Sequence, residues 1–229
     1  MSTALAVLQE EIISCRRCPR LNGHCAEVAR VKRRAYRDQE YWGRPVPSFG
    51  SADARLLILG LAPGAHGANR TGRVFTGDSS GDLLYRVLHA AGFATQPVSV
   101  SRQDSLALKG AYISAAVHCA PPDNKPSPAE IRNCRGYLER ELDLLTDLRV
   151  VVALGRIAFD VYLSILRDRG SIPSRSAFRF AHNAAHRMGE GMPVLVSSYH
   201  PSQQNTFTGR LTEGMLDDVL FTAGKLIEI

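Results

Sequence analysis

Four short runs of apolar residues stand out along the chain: 55–61 (RLLILGL), 111–117 (AYISAAV), 149–154 (RVVVAL) and 193–199 (PVLVSSY). Each is nearly continuous rather than alternating, the pattern of strands covered on both faces in a parallel sheet. Between and after them lie stretches with helical spacing. Residues 79–91 place Leu83, Leu84, Val87 and Leu88 on one face, and 128–145 begins with Ser127 as a cap and Pro128 in the first turn. Residues 157–167 and 208–227 follow the third and fourth runs. Alternating strands and helices predict an α/β fold, a three-layer α/β/α sandwich with a central four-stranded parallel sheet, in one domain spanning 1–229. In such sheets ligands bind beyond the carboxyl ends of the strands, so the segments to inspect follow Leu61, Val117, Leu154 and Tyr199.

Polar interruptions refine this picture. The opening MSTALAVLQEEIISC has no basic leader, and Gln9, Glu10 and Glu11 break its apolar run; it reads as a short amphipathic helix, not a signal peptide. Nothing approaches the ~18 uninterrupted apolar residues of a membrane span, and the chain is expected in the cytoplasm. Residues 172–191, rich in Ser, Arg, Ala and His, read as an irregular excursion. The net charge is +6 with a pI of about 9.3. Arg16, Arg17, Arg20, Arg30, Arg33, Arg34 and Arg37 crowd the first third. Such an excess suits a phosphodiester partner, through counterion release, or simply a basic protein with no polyanion to bind.

The five cysteines form no obvious disulfide framework. Cys15 and Cys18 form a CxxC pair at the end of the first helix; Cys119 lies just past the second strand and Cys134 on the following helix. They read as buried thiols, or as a tetrathiolate site for zinc or an iron–sulfur cluster, and spacing does not choose the metal. Cys25 is the spare, structural thiol.

The loop at 60–84 contains six glycines and no lysine, which excludes a P-loop and lets backbone N–H groups approach a ligand. Asp78, at its end, caps the next helix with Ser79 and Ser80 or faces a substrate. Phe75 is a core plug or a stacking platform. The second loop, HCAPPDNKPSP, is stiffened by proline around Asn124, which is a turn residue or a reader of a base edge. In the fourth, SSYHPSQQNTFTGRLT, His200 directly follows a strand, as a satisfied structural residue or a catalyst, and Arg210 is solvated or clamps a phosphate.

Taken together, CRRC at Cys15–Cys18, GLAPGAHGANRTGRVFTGD at 60–78, HCAPPDNKP with Cys119 and Asn124, Cys134, and HPSQQNTFTGRLT at 200–212 resemble the uracil-DNA glycosylase superfamily, and within it the iron–sulfur type called family 5 or B type. The resemblance runs from about Cys15 to the C-terminus. It implies release of deaminated bases from DNA, uracil first, with hydroxymethyluracil, ethenocytosine and hypoxanthine also accepted. It implies a [4Fe–4S] cluster on Cys15, Cys18, Cys119 and Cys134, structural and not redox-catalytic. Family 4 relatives carry an acid in a GEAPG pattern where this chain has Leu61, so Asp78 is the motif acid that remains. The KRRIH insertion of covalently DNA-linking relatives is missing.

From that resemblance and the chemistry of the N-glycosidic bond, His200 is expected to hydrogen-bond the departing base and Asp78 to orient water or stabilise the sugar cation. Phe75 is expected to stack on the extruded base, Asn124 to read it, and the backbone near Ala62 and Gly64 to line its pocket. Ser202, Asn205 and Arg210 are assigned to the DNA backbone and the vacated stack. Asn69, Arg70, Thr71 and Arg73 are assigned to the phosphate of the extruded nucleotide. The partner is then DNA, double-stranded or single-stranded, met by a monomer associated with the nucleoid. Rival readings are a strictly uracil-specific, family 4-like enzyme, a non-catalytic iron–sulfur DNA-binding module, and a zinc-ribbon structural protein.

Overall fold

The four apolar runs form the parallel centre of a six-stranded sheet in the computed structural model, which describes residues 3–228. Its strands are β1 (Phe49–Gly50), β2 (Leu56–Gly60), β3 (Ala111–Ala115), β4 (Val150–Leu154), β5 (Ala184–His186) and β6 (Val194–Ser198), in the order β1-β3-β2-β4-β6-β5. β3, β2, β4 and β6 are mutually parallel; Ile58 sits level with Ile113 on one side and Val152 on the other. Every residue of β2, β3 and β4 is buried, which is why these strands show no polar alternation.

The expected four-stranded sheet is extended by β1 and β5, both antiparallel to their neighbours. With two and three residues and mixed burial, neither carries an apolar run that would announce a strand. β5 falls inside the 172–191 excursion, which is therefore partly ordered as a sheet edge.

Eight helices are described: α1 (Thr3–Ile13), α2 (Pro19–Val31), α3 (Ala68–Thr71), α4 (Ser79–Ala90), α5 (Pro128–Leu144), α6 (Arg156–Asp168), α7 (Gln203–Phe207) and α8 (Glu213–Glu228). On one sheet face, Leu84, Leu88, Leu216 and Val219 of α4 and α8 pack on Leu56, Ile58, Val150 and Val152. On the other, Leu5 of α1, Leu138 of α5 and Phe159 and Tyr162 of α6 pack on Leu57, Leu59, Val151 and Ala153. The capping box at Ser127 and Glu130 fixes the start of α5. The helix expected over 208–227 is shorter. Gly209 takes φ +69 and the chain turns before α8. α2 was not anticipated, because it buries only Leu21 and Cys25 and so shows little periodicity.

A buried polar network joins α1, β3 and α5. The Glu141 carboxylate, fully buried, accepts from Tyr112 Oη at 3.0 Å, Ser114 Oγ at 2.5 Å and Gln9 Nε2 at 3.4 Å. Among the described residues no cation pairs with it; three neutral donors replace its lost hydration. The network locks the helix that leads to Cys15 against the helix that carries Cys134. Among the described residues, no helix is long and apolar enough to cross a membrane.

Candidate active site

Beyond the carboxyl edge of β2 and β6 lies a cleft of about 1050 Å³. Asp78, His200, Phe75, Asn124, Ala62, Gly64 and Leu61 all line it. These residues come from three separate loops, and the parallel sheet delivers all three to one edge.

Asp78 ends the glycine loop and begins α4. Its Oδ1 accepts from the backbone N–H groups of Ser80 and Gly81, both at 3.1 Å, so the residue is indeed the helix cap. The other oxygen is used differently. No described residue donates to Oδ2, which faces Gly64 and Gly67; a Cβ on Gly64 would come within 2.8 Å of it and one on Gly67 would overlap it. Burial raises the Asp78 carboxyl above its ordinary value, while the two backbone donors hold it down. One carboxylate thus caps a helix and presents a free oxygen to the cleft.

Phe75 adopts a left-handed backbone, φ +50, and its ring covers Gly60 at the end of β2. A Cβ on Gly81 would overlap the Phe75 carbonyl, so the glycine permits this turn. The rings of Phe75 and His200 lie 5.9 Å apart and tilted by 31°. The His200 imidazole makes no hydrogen bond to a described residue, and burial pushes its pKa down to about 4, so it is neutral near pH 7. Its backbone is fixed by Asn205, whose Nδ2 donates to the His200 carbonyl at 2.8 Å. Asp123 and Asn124 both have left-handed backbones, φ +53 and +56, and the exposed Asn124 lines the cleft with no side-chain hydrogen bond among the described residues.

The residues assigned to phosphate divide. Arg70 lines the cleft, but its guanidinium already donates to the carbonyls of His66 and Gly77, both at 2.8 Å, and to Gln39 Oε1 at 2.6 Å, and it stacks on Tyr36. Asn69 is fully buried and donates to the Cys25 carbonyl. Thr71 Oγ1 donates to the Thr76 carbonyl at 3.0 Å. Arg73 is 5% exposed and paired with Asp104 at 2.6 Å, with its guanidinium over the Phe49 ring. Asn69, Thr71 and Arg73 therefore hold the glycine loop from inside and reach no phosphate. Ser202 caps α7 through Asn205 N, and Arg210 stacks on Tyr199 at 4.7 Å.

Several cleft residues escaped the sequence reading. His66, Tyr36 and Gln39 form part of its wall, beside Arg33, which the sequence marks only as one of a basic cluster. Phe207, at the end of α7, is 83% exposed. A large aromatic amid QQNT and TGR was the available signal for it.

Cys15, Cys18, Cys119 and Cys134 line one small apolar pocket with Leu21, Val117 and Tyr137. The backbone N–H of His118 donates to Cys134 Sγ at 3.3 Å, and Asn133 Nδ2 donates to Cys18 Sγ at 3.5 Å. Burial pushes the Cys134 thiol up to about 12, and Cys25 beside it together with burial raises Cys119. Among the described residues, no three His, Cys, Asp or Glu converge closely enough to hold a single metal ion. Cys25 Sγ lies 3.7 Å from the Ala120 carbonyl, inside the same core. Ala62 packs on this core as well as lining the cleft, so the two sites share a wall.

The family pattern of the uracil DNA glycosylase superfamily matches residues 47–221, which include all three cleft loops. The chain belongs to that superfamily. It is similar to the type-5 uracil-DNA glycosylase of Mycobacterium bovis, 52% identical over 227 residues, covering 99% of this chain and 83% of that one. It is 50% identical over 217 residues to the type-5 uracil-DNA glycosylase of Thermus thermophilus, covering 95% of each. To the type-4 uracil-DNA glycosylase of Archaeoglobus fulgidus it is 28% identical over 201 residues, covering 84% of this chain and 78% of that one. Within this superfamily member, Leu61 puts an apolar side chain on the cleft wall, and Asp78 is the carboxylate held against the glycine loop.

Because Arg73 is an interior cation, Arg73→Met is expected to strand Asp104 and lower the unfolding free energy by about 3–5 kcal/mol, read by urea denaturation.

Proposed function

We propose that this protein is a monofunctional DNA glycosylase that extrudes uracil from DNA and hydrolyses its N-glycosidic bond, leaving an abasic site. The observation that carries the proposal is the unbonded Asp78 Oδ2 in a cleft it shares with the neutral His200 and the Phe75 ring. The names of the type-5 relatives support the same reading.

Extrusion costs a few kcal/mol of pairing and stacking, least for a mismatched base. Phe207, exposed at the end of α7, the helix whose Gln203 and Gln204 line the cleft, fills the gap left in the stack, as an apolar wedge does. The extruded base stacks on Phe75, and Asn124 donates to and accepts from its edge. As the C1′–N1 bond breaks, its electron pair goes to the base, and His200 donates a hydrogen bond to the base oxygen that gains charge. The sugar becomes oxocarbenium-like; Asp78 Oδ2 stabilises it and holds the water whose oxygen bonds to C1′. The water proton leaves to Asp78 or to solvent. Backbone N–H groups at Ala62 and Gly64 line the pocket, and Ser202, Asn205, Arg70 and Arg210 stand along the path of the strand. The apolar Leu61 and the side-chain-poor loop leave room for hydroxymethyluracil, ethenocytosine and hypoxanthine.

The four cysteines around one apolar pocket, with N–H donors to two sulfurs, fit a [4Fe–4S] cluster, whose spread corners suit thiols that surround a void rather than meet at a point. When bound, the cluster supplies a cross-link between the end of α1, the second loop and α5, not an electron. Purification without oxygen is expected to give about four irons and four sulfides per chain, and Cys134→Ser is expected to lose iron; one equivalent of zinc instead would reject the cluster.

Single-turnover release from duplex DNA with uracil opposite guanine tests the activity. Asparagine caps helices as well as aspartate, so Asp78→Asn is expected to keep stability and DNA affinity while losing rate by about 100-fold or more. The wild-type rate is expected to fall on the acid side with a midpoint above the ordinary aspartate value, because protonation removes the charge at Oδ2; His200→Ala is expected to slow release and keep that acid limb. Phe207→Ala is expected to slow release from duplex more than from single strands, where no stack needs filling. Wild type that binds DNA but frees no base would leave a binding module.

A further inference from the structure

The cleft contains a second histidine that the chemistry above does not use. His66 lies on the glycine loop directly before Gly67, the residue packed against Asp78 Oδ2. Its Nδ1 is 3.0 Å from the Oη of Tyr41, a residue that is 8% exposed, and the two rings meet edge to face at 6.0 Å. The same Tyr41 oxygen accepts from the Arg33 backbone N–H at 3.4 Å. We assign the hydroxyl's own proton to Nδ1, the Arg33 N–H already occupying one side of its oxygen. Nδ1 is then the acceptor, and the ring proton of a neutral His66 sits on Nε2. No described residue bonds Nε2.

We propose that His66 is a positioning residue, whose Nε2–H donates to the phosphodiester flanking the extruded nucleotide and so sets where the sugar lies against Asp78. The proposal rests on the glycosylase reading and adds to it a residue and a contact. Charge on the cleft wall says which ligand group comes here. Asp78, Asp82 and Asp123 repel a phosphate from their parts of the wall, while Arg33 and Arg70 attract it to the part that carries His66. Arg33 is exposed and has no ion pair among the described residues, and Arg70 retains two of its five N–H groups. Burial and the Arg33 and Arg70 charges lower the His66 pKa, which favours the neutral ring before the phosphate arrives. The arginines supply attraction, and His66, fixed by Tyr41, supplies angle.

The test combines variants with charge-neutral methylphosphonate linkages placed on either side of uracil, read both in single-turnover release and in affinity for a non-cleavable 2′-fluoro duplex. His66→Ala is expected to cost about 10- to 100-fold, the worth of one hydrogen bond to a charged group. The slope of log affinity against log salt is expected to stay as in wild type, because a neutral donor displaces no counterion, whereas Arg33→Ala is expected to reduce the slope by about 0.9. His66→Gln, which keeps an N–H at similar reach, is expected to recover part of the loss, and Tyr41→Phe to show a smaller loss. At one of the two linkages, methylphosphonate is expected to cost wild type more than it costs His66→Ala, because only wild type loses the Nε2–H bond along with the arginine attraction. Penalties that multiply at both linkages, or a His66→Ala variant equal to wild type, would overturn the proposal. Since the cycle is also read in affinity, a wild type that binds without releasing base would sink the glycosylase reading and still decide His66.

Discussion

Oδ2 of Asp78 occupies a niche that exists because Gly64 and Gly67 carry no side chains. A methyl group on either would collide with that oxygen, while Oδ1 is tied to the first turn of α4 through Ser80 and Gly81. The helix cap and the free oxygen are therefore one arrangement. The cap fixes the orientation of the carboxylate, the glycines make room for it, and burial raises the cost of its charge.

The surroundings hold this arrangement against strain. Phe75, Asp123 and Asn124 line the cleft with left-handed backbones that non-glycine residues adopt at a cost of about 1–3 kcal/mol each. They persist because the loops are pinned from within. Arg73 and Asp104 form an interior ion pair beneath the glycine loop, Arg70 ties that loop to Gln39 and stacks on Tyr36, and Asn205 holds the carbonyl of His200. The cysteine pocket joins in through Ala62, which touches both the cleft and the core around Cys119 and Cys134.

The polar residues of the glycine loop are instructive for where their hydrogen bonds go. Asn69, Arg70, Thr71 and Arg73 are four polar residues in one short loop, equally suited on paper to a phosphate. Asn69, Thr71 and Arg73 spend their hydrogen bonds inside the protein, and Arg70 spends most of its own. A glycine-rich loop has few apolar side chains of its own to pack, so its polar side chains and carbonyls must satisfy one another.

The sequence by itself determined the parallel centre of the sheet, the helices read at 79–91, 128–145 and 157–167, each within a residue of its observed ends, and the three loops that meet at the cleft. Continuous apolar runs, helical periodicity and cap residues are local signals, and local signals survive in a string of letters. It also singled out Asp78, His200, Phe75 and Asn124, because such side chains are unusual beside glycine and proline at strand ends. Only the tertiary structure decided which oxygen of Asp78 is free, that Arg73 is an interior cation, that Phe207 is bare, and that Tyr41 fixes His66. Those facts depend on neighbours far away in sequence: Asp104 for Arg73, Gly64 and Gly67 for Asp78, and the turn at residues 33–41 for His66. Burial and the sharing of protons are properties of the packed chain, and no spacing within a single loop encodes them.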